Sequence, residues 1–559
     1  MKVIVQNQGT VNLDKRLFIA SGGEGQIFAS GQTAYKIYTD PKHMMPLGKI
    51  QELSSITDLN VIRPQEIVYD TNKKPIGYTM RFVPNTYALV QLFTKAFRQR
   101  EGLTHETIQK LIQKLRNIIE HIHDHKILIV DLNEMNFLVN HGFSEIFAID
   151  TDSYQTPSYP ATAIMDSIRD RHSKTFNELT DWFAFGIISF QMFVGIHPYK
   201  GKHPKVKDLE DRMKGNLSVF NKDVSMPHVC YPLDVIPDSY KQWYKEIFEN
   251  GKRLPPPEDF QASVPIITAI IHKIVGSNNF DISEVMSLDE TIISIYSGAN
   301  LRILTDSKFY LNKNKNIPIK HPLKIAITTV GKVPIIAKLN SEKLILHNAD
   351  KNKEISNQIY GQKLMEYNGN LYVASGDNIL YVDFMEVGEN IIAASNIVAS
   401  ILPNATKIFD GVIIQNLLGA KYVSIFSEPK THRQIHIKEL DKYRIIDAKY
   451  DNNILMLIGS NNNIYDRFVI KFSDDWKNYD VRIINNVSPT ELNFVVLDKG
   501  VAICLNEDED LEVFSNRISH QNVTVINDPA VTGDIKLHKY GGKLYFSKGE
   551  NLYSMTMRK

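Results

Sequence analysis

Short apolar runs separated by polar turns fill the first part of the chain. The runs lie at residues 16–20, 26–29 and 34–38, and their alternation predicts a β-meander. A helical stretch follows at 41–53, and residues 76–84 predict a strand that ends in a hinge. We therefore expect the N-terminal part to be rich in strands, with one helix.

Helical spacing dominates the next part of the chain. Thr104 is a predicted N-cap, and apolar residues recur three and four positions apart from Ile108 to Ile122. A second, almost wholly apolar helix is predicted from about Asp181 to Val194, with a glycine just past its end, a pattern typical of a buried central helix. A third apolar helix, at about 263–275, closes this part.

Beyond residue 290 the pattern changes to short apolar runs between polar turns, with hardly any helical periodicity. The turns recur at intervals of roughly 40 residues. They are Ser297-Gly298, Val330-Gly331, Asn368-Gly369, Asp410-Gly411, Asn452-Asn453, Lys499-Gly500 and Gly541-Gly542. Strands repeated at this period predict a β-propeller of about seven four-stranded blades. Two β-sandwiches in tandem are the alternative.

Composition narrows the classes of function. The 559 residues include 64 Lys and Arg and 63 Asp and Glu, and the net charge of +1 provides no overall field that would attract nucleic acid or an anionic membrane. The two cysteines, Cys230 and Cys504, argue against a disulfide scaffold and a cysteine-rich zinc site. No apolar run has the length of a membrane span or of a signal-peptide core. We therefore expect a soluble, cytoplasmic protein of roughly two to four domains.

Polar residues at three places suggest chemistry. The turn Ser21-Gly22-Gly23-Glu24-Gly25 can bring backbone N–H groups close to a polyphosphate, although a plain glycine-rich hairpin has the same composition. Lys36 follows on the third strand of the meander. Asp131 and Asn136 stand five residues apart before an apolar run, and Asp150 ends the next apolar strand. These side chains suit a substrate hydroxyl and a Mg²⁺ ion.

In order and spacing, these motifs resemble a eukaryotic-type protein kinase domain over residues 15 to about 275. The matching positions are Gly22, Gly25, Ala34-Tyr35-Lys36, Asp131, Asn136, Asp150, Asp181 and Gly186. Gly-Gly-Glu-Gly, Asp-Leu-Asn-x-x-Asn and Ile-Asp-Thr-Asp-Ser are most similar to divergent kinase-like proteins of bacteria and their phages. Together with the chain length and the change of pattern after residue 290, the resemblance predicts a multidomain chain. An α+β bilobal kinase-like domain is expected at 1–280, with a small lobe at about 1–84 and a large lobe at about 85–280, before a β-propeller-like domain at 285–559.

The resemblance also implies an ATP- and Mg²⁺-dependent protein kinase directed at Ser or Thr. Asp131 would accept or orient the hydroxyl proton, and Lys36, positioned by Glu52, would bind the α- and β-phosphates. Asn136 and Asp150 would hold Mg²⁺. The nucleotide site is expected to comprise Gly22, Gly23, Gly25, Ile27, Ala34, Lys36, Glu52 and Met80. The propeller would bind a protein substrate or partner, an expectation that rests on analogy of fold alone.

Several positions depart from the family pattern. Ile129-Val130 replaces His-Arg before the catalytic aspartate, and Asn133 replaces a lysine that Ser/Thr kinases direct to the γ-phosphate. Two acids, Asp150 and Asp152, are candidates for the metal ligand. No Ala-Pro-Glu is present, so Arg253 is expected to lack its usual carboxylate partner. These departures leave open a pseudokinase scaffold, as well as transfer of phosphate to a small molecule or of AMP to a protein.

Overall fold

The structure, a computed structural model, describes residues 1–21, 24–161, 164–258, 260, 276–296, 300–462, 464–489, 492–515 and 517–558. These residues form two compact units. One lies within Met1–Arg98 and Leu103–Ala269, and the other lies within Gln99–Gly102 and Ile270–Lys559. The helix expected at 263–275 and the turn at Ser297-Gly298 lie outside the described residues.

The described residues up to 258 contain ten strands and six α-helices. Strands β1–β10 are Lys2–Val5, Gly9–Asn12, Phe18–Ser21, Gly25–Ser30, Thr33–Tyr38, Pro64–Tyr69, Pro75–Arg81, Thr86–Ala88, Phe137–Asn140 and Ile146–Ala148. Helices α1–α6 are Leu47–Leu53, Lys95–Glu101, His105–Asp124, Glu178–Val194, Leu209–Lys214 and Asp238–Phe248. Short 3-10 helices lie at Lys15–Leu17, Pro41–His43, Leu89–Phe93, Thr151–Ser153 and Leu233–Val235.

The first seven strands form one antiparallel sheet in the order β2-β1-β6-β7-β5-β4-β3. The predicted meander is its β3-β4-β5 edge, where each strand pairs with the next one along the chain. Strand β5 lies between β4 and β7, so both of its edges are hydrogen-bonded. The main chain in the middle of β5, and with it the starting point of each side chain, is therefore fixed by strands on both sides.

Two long helices, α3 and α4, pack against each other. Helix α3 buries its apolar positions from Ile108 to Ile122, and its N-cap Thr104 accepts the N–H of Thr107 at 3.2 Å, as the pattern predicts. Helix α4 is buried at every residue from Asp181 to Val194, which explains why its sequence has no polar stripe. It ends at Gly195, whose φ of +87° lies in the left-handed region that favours glycine.

Residues 276–558 of the second unit are all-β apart from short 3-10 helices at Pro403–Ala405, Lys438–Leu440 and His520–Asn522, as far as the structure describes them. Its strands, β11–β38, are Phe280–Ser287, Ile292–Tyr296, Arg302–Thr305, Lys308–Asn312, Lys315–Pro318, Lys324–Ile327, Pro334–Asn340, Lys343–Asn348, Lys353–Ile355, Lys363–Tyr367, Asn370–Ser375, Asn378–Val387, Asn390–Ser400, Thr406–Phe409, Val412–Leu417, Ala420–Glu428, Thr431–His436, Arg444–Asp451, Ile454–Asn461, Ile464–Phe472, Tyr479–Ile484, Phe494–Val496, Ala502–Leu505, Leu511–Phe514, Thr524–Ile526, Ile535–Tyr540, Lys543–Lys548 and Asn551–Met557.

These strands form seven antiparallel sheets of four strands each within the described ranges. Six sheets consist of consecutive strands, and the seventh joins β11 to β36, β37 and β38. Apolar side chains of consecutive sheets share one core: Val412 and Val423 of the β24–β27 sheet pack with Leu455 and Phe468 of the β28–β31 sheet. The repeat of apolar runs thus arises because each sheet buries its face against the next.

Among the described helices, none combines the length and the apolar composition that a transmembrane segment requires.

Candidate active site

Lys36 lies on β5 and is almost completely buried. Its Nζ is 2.7 Å from Asp152 Oδ2, 3.3 Å from Glu24 Oε2 and 3.4 Å from Asp150 Oδ1. Burial alone would lower the pKa of Lys36, but the charges of Asp152 and Asp150 outweigh this effect and the pKa is raised. Lys36 therefore keeps its positive charge within a group of three carboxylates.

The structure corrects the predicted pairing of Lys36 with Glu52. The buried face of α1 consists of Lys49, Ile50 and Leu53, and Glu52 lies outside it. The carboxylate of Glu52 instead accepts the backbone N–H of Ser158 at 3.2 Å. Because Glu52 is bonded to Ser158 and the buried polar residue of α1 is a lysine, no side chain of this helix pairs with Lys36 among the described contacts.

Asp150 and Asp152, the two candidate metal ligands, differ in accessibility. Asp150 has a left-handed φ of +62°, and its side chain is 48% exposed, whereas the side chain of Asp152 is only 10% exposed. The carboxylate of Asp152 is already bound by Lys36 and by the hydroxyls of Tyr38 and Tyr78. Asp150 is consequently the acid that an incoming cation can reach.

The charges around Asp150 favour a cation. Loss of hydration raises its pKa, the charge of Lys36 opposes that rise, and the negative charges of Asp152 and Glu24 add to it. One carboxylate oxygen from each of Glu24, Asp150 and Asp152 falls within a span of 4.8 Å. Hard oxygen ligands of this kind suit Mg²⁺.

The loop between α3 and β9 brings Asp131 and Asn136 together, as their spacing predicts. Asn136 Nδ2 donates to the carbonyl oxygen of Asp131 at 3.0 Å and to its Oδ2 at 3.2 Å. Asp131 Oδ1 accepts the backbone N–H of Met165 at 2.7 Å. Next to this loop, Ile149 N–H donates to the carbonyl oxygen of Asn136 at 2.9 Å, so the residue before Asp150 is fixed to the same loop.

Asp181, at the start of the buried part of α4, supports this loop from below. Its Oδ2 accepts Ile129 N–H at 2.8 Å and its Oδ1 accepts Val130 N–H at 3.0 Å. His123 Nε2 lies 3.0 Å from Oδ2. Val130 has a φ of +61°, which is unfavourable for a β-branched residue. The hydrogen bonds that Asp181 accepts offset this strain immediately before Asp131.

Arg253 has a carboxylate partner, contrary to the expectation from the absent Ala-Pro-Glu. Its Nε and Nη2 each lie 2.6 Å from an oxygen of Asp170, in a bidentate ion pair. Burial alone would raise the pKa of Asp170, but hydrogen bonds from Arg253 and from His172 N–H lower it. The pair could not be predicted from the sequence because the stretch that contains Asp170, Ser167-Ile168-Arg169-Asp170, does not resemble the Ala-Pro-Glu motif of the family. The one available signal was an acid between Asp150 and α4.

The other predicted nucleotide-site residues lie on adjacent strands. Ile27 of β4 pairs with Lys36 of β5, and Ala34 of β5 pairs with Met80 of β7. Gly25 begins β4, where a Cβ atom would come within 2.4 Å of Ile37 O, so the close pairing of the two strands requires glycine. Gly22 and Gly23 lie outside the described residues.

Comparison with known proteins identifies the domain that carries this site. The family model for the protein kinase domain matches residues 24–249. The match begins in the glycine-rich turn and ends just after α6, so it includes Lys36, Asp131, Asn136 and Asp150. No curated protein matches the chain. Residues 24–249 are therefore a protein kinase domain, and a large all-β region of four-stranded antiparallel sheets follows it.

Proposed function

We propose that the kinase domain is an active phosphotransferase that uses Mg²⁺ and ATP to phosphorylate Ser or Thr of a protein. One observation carries the proposal: a continuous set of contacts joins the predicted residues. Lys36 contacts Asp150, the residue before Asp150 is bonded to Asn136, and Asn136 is bonded to Asp131. The lysine proposed to bind the nucleotide and the carboxylate proposed to act as the base thus belong to one set of contacts.

The residues fit the groups that a kinase domain uses. Bound Mg²⁺-ATP would supply the phosphoryl group and a cation that offsets its developing charge. Lys36, held among acids and positively charged, would contact the α- and β-phosphates. Asp150 and the side-chain oxygen of Asn136 would hold the metal. Asp131, which Asn136 orients, would accept the proton of the substrate hydroxyl. Positioning and charge stabilisation would provide most of the catalysis.

A pseudokinase scaffold is the second candidate, and two observations favour it. The side chain of Asn133 is buried and its Oδ1 accepts Met135 N–H at 2.8 Å, so it cannot take the place of a lysine at the γ-phosphate. The N–H of Met165 donates to Oδ1 of Asp131 and Nδ2 of Asn136 donates to Oδ2, so both oxygens of the proposed base already accept hydrogen bonds.

Labelled ATP distinguishes the two candidates. With Mg²⁺ and labelled ATP, the wild-type protein is expected to incorporate phosphate into itself or a generic protein substrate, and Asp150→Ala is expected to lose at least about 10²-fold of this activity because the metal ligand is gone. Asp124→Ala, an exposed aspartate on α3, is the matched control and should retain activity. Equal labelling of wild type and Asp150→Ala would reject the proposal. No labelling, with no thermal stabilisation by Mg²⁺-ATP, would favour the scaffold.

We further propose that the seven sheets are the blades of a propeller. Three features support this arrangement over two sandwiches. First, β11, the first strand of the region, pairs with β38, the last, from Phe280↔Met557 to Ser287↔Asn551. Second, first strands of consecutive sheets contact each other, as β16 contacts β20 and β20 contacts β24. Third, β12 contacts β36, which continues the series across the chain ends. Such a series, together with pairing of the first strand with the last, is typical of a ring of blades.

We also propose that a projecting hairpin of this region binds the protein substrate. The pairing of β21 with β22 ends at Leu371↔Val382, but that of β22 with β23 continues to Val387↔Asn390. Met385 and Ile392 pair across the two strands, and their side chains are 46% and 48% exposed. Phe384 on the opposite face packs into an apolar core, so the hairpin offers a firmly supported apolar surface.

Substitution of the exposed apolar residues of this hairpin distinguishes binding of the protein substrate from phosphoryl transfer. In the double variant Met385→Ser with Ile392→Ser, kcat/KM for a protein substrate is expected to fall about tenfold, while kcat/KM for a short peptide with the same acceptor residue stays the same. Ile464→Ser with Val525→Ser removes two comparably exposed apolar residues elsewhere in the region and is the matched control. Equal effects of the two double variants on the protein substrate would count against the hairpin as the docking surface.

A further inference from the structure

Asp152 is the most enclosed of the three acids around Lys36 and has four partners. Lys36 Nζ lies 2.7 Å from Oδ2, the hydroxyl of Tyr38 donates to the same oxygen, and the hydroxyl of Tyr78 donates to Oδ1. The carbonyl oxygen of Asp152 accepts Lys49 Nζ at 2.6 Å. Each carboxylate oxygen and the main-chain oxygen are thereby fixed.

The partners of Asp152 hold its carboxylate in one position. Tyr38 lies on β5 with Lys36, and Tyr78 lies on the adjacent strand β7, where it pairs directly with Lys36. Burial and the charge of Asp152 raise the pKa of both tyrosines, so their hydroxyls remain protonated and continue to donate. The sheet that carries Lys36 therefore also determines where its counter-ion lies.

Helix α1 does not supply the acid that pairs with Lys36. Its inward-facing polar residue is Lys49, a cation, and Glu52 is bonded to Ser158. Glu24 contacts Lys36 at a longer distance, 3.3 Å, with a side chain that is 59% exposed, and a pair so close to water is weakly held.

We propose that Asp152, and no acid on α1, is the positioning residue that holds Lys36 in place for the nucleotide phosphates; this inference rests on the proposed function. Asp150 and Asp152 belong to the same short turn at residues 150–153. The metal ligand and the anchor of the lysine therefore move together. A shift of this turn would therefore disable both groups at once.

A purely structural ion pair would have the same contacts, so the test measures nucleotide affinity and catalysis in addition to folding. Asp152→Asn keeps the size of the side chain and removes its charge. Its Kd for Mg²⁺-ADP, measured by calorimetry, is expected to rise about tenfold, and its kcat is expected to fall about 10²-fold at a temperature where the variant is folded. Glu52→Gln is the matched control on α1 and should stay within about twofold of wild type in both quantities.

A second variant keeps the proposal testable if Asp152→Asn does not fold. The double variant Tyr38→Phe with Tyr78→Phe keeps the charge of Asp152 and Lys36 itself, but removes the two hydroxyls that hold the Asp152 carboxylate in position. Its kcat/KM for ATP is therefore expected to fall about threefold to tenfold. The proposal is overturned if folded Asp152→Asn has wild-type values of Kd and kcat. If Asp152→Asn does not fold, wild-type values in the double tyrosine variant overturn it instead. A loss in Glu52→Gln alone would also overturn it. If the wild-type protein binds Mg²⁺-ADP but transfers no phosphate, the proposed function fails and the inference is decided by Kd alone. If the wild type does not bind nucleotide, both fail.

Discussion

Asp131→Asn is expected to lower kcat about 10³-fold and to leave the Kd for Mg²⁺-ADP within about twofold of wild type. The amide cannot accept the proton of the substrate hydroxyl, yet it is close in size to the carboxylate and keeps an oxygen that can accept Met165 N–H. Lys36 and Asp150, which are assigned to the nucleotide and its metal, do not contact Asp131 through their side chains among the described hydrogen bonds. Asn136, the other residue assigned to the metal, loses its bond to the Asp131 carboxylate but keeps its bond to the main-chain oxygen of Asp131. Chemistry and binding should therefore separate in this variant. Steady-state kinetics with a peptide substrate and calorimetry with Mg²⁺-ADP measure the two quantities.

Asp166→Asn is the matched control for this prediction. Asp166 lies one residue beyond Met165, and its side chain is 84% exposed and paired with Arg171 on the surface. Loss of a charge there should leave kcat unchanged, since the residue is outside the site. If Asp131→Asn lowers kcat by less than about tenfold, Asp131 is not the general base. If it lowers kcat and raises Kd by equal factors, Asp131 serves nucleotide binding.

Asp181→Ala is expected to destabilise the kinase domain by about 3–5 kcal/mol and to lower its melting temperature by about 10 °C. The substitution leaves two buried backbone N–H groups, those of Ile129 and Val130, without their acceptor. It also removes the partner of His123. Because Val130 is held at a φ of +61°, loss of these bonds lets the loop relax, and phosphotransfer should fall together with stability. Scanning calorimetry of the full chain measures the transition.

Glu178→Ala provides the comparison on the same helix. Glu178 lies in the first turn of α4 and is exposed, so its loss should cost no more than about 1 kcal/mol. An equal change in melting temperature for the two variants would show that Asp181 acts only through the charge it adds at the helix N-terminus. A loss of less than about 1 kcal/mol in Asp181→Ala would mean that the strained loop has other support.

The local pattern predicted which residues of the candidate site lie close together better than it predicted which acids pair with its basic residues. Lys36 could be placed because strand alternation and the glycine-rich turn fix its distance along the chain from β4. Asp131 and Asn136 could be placed together because they are close in sequence. The partner of Lys36 was predicted wrongly as Glu52, and Arg253 was wrongly expected to have no carboxylate. Both errors concern contacts between residues far apart in the chain, where the geometry of the intervening segments decides which acid arrives.

The alternation of apolar and polar positions determined the two parts of this protein: a strand-rich then helix-rich part, and an all-β region with repeated sheets. It did so because burial of one face is a local requirement of every strand and helix. The motifs identified the first part as a kinase domain. Only the tertiary structure decided which acid meets Lys36. Asp150 and Asp152 are two residues apart and chemically identical. They differ because the hydroxyls of Tyr38 and Tyr78 enclose one carboxylate while the other remains open to the solvent and to a cation.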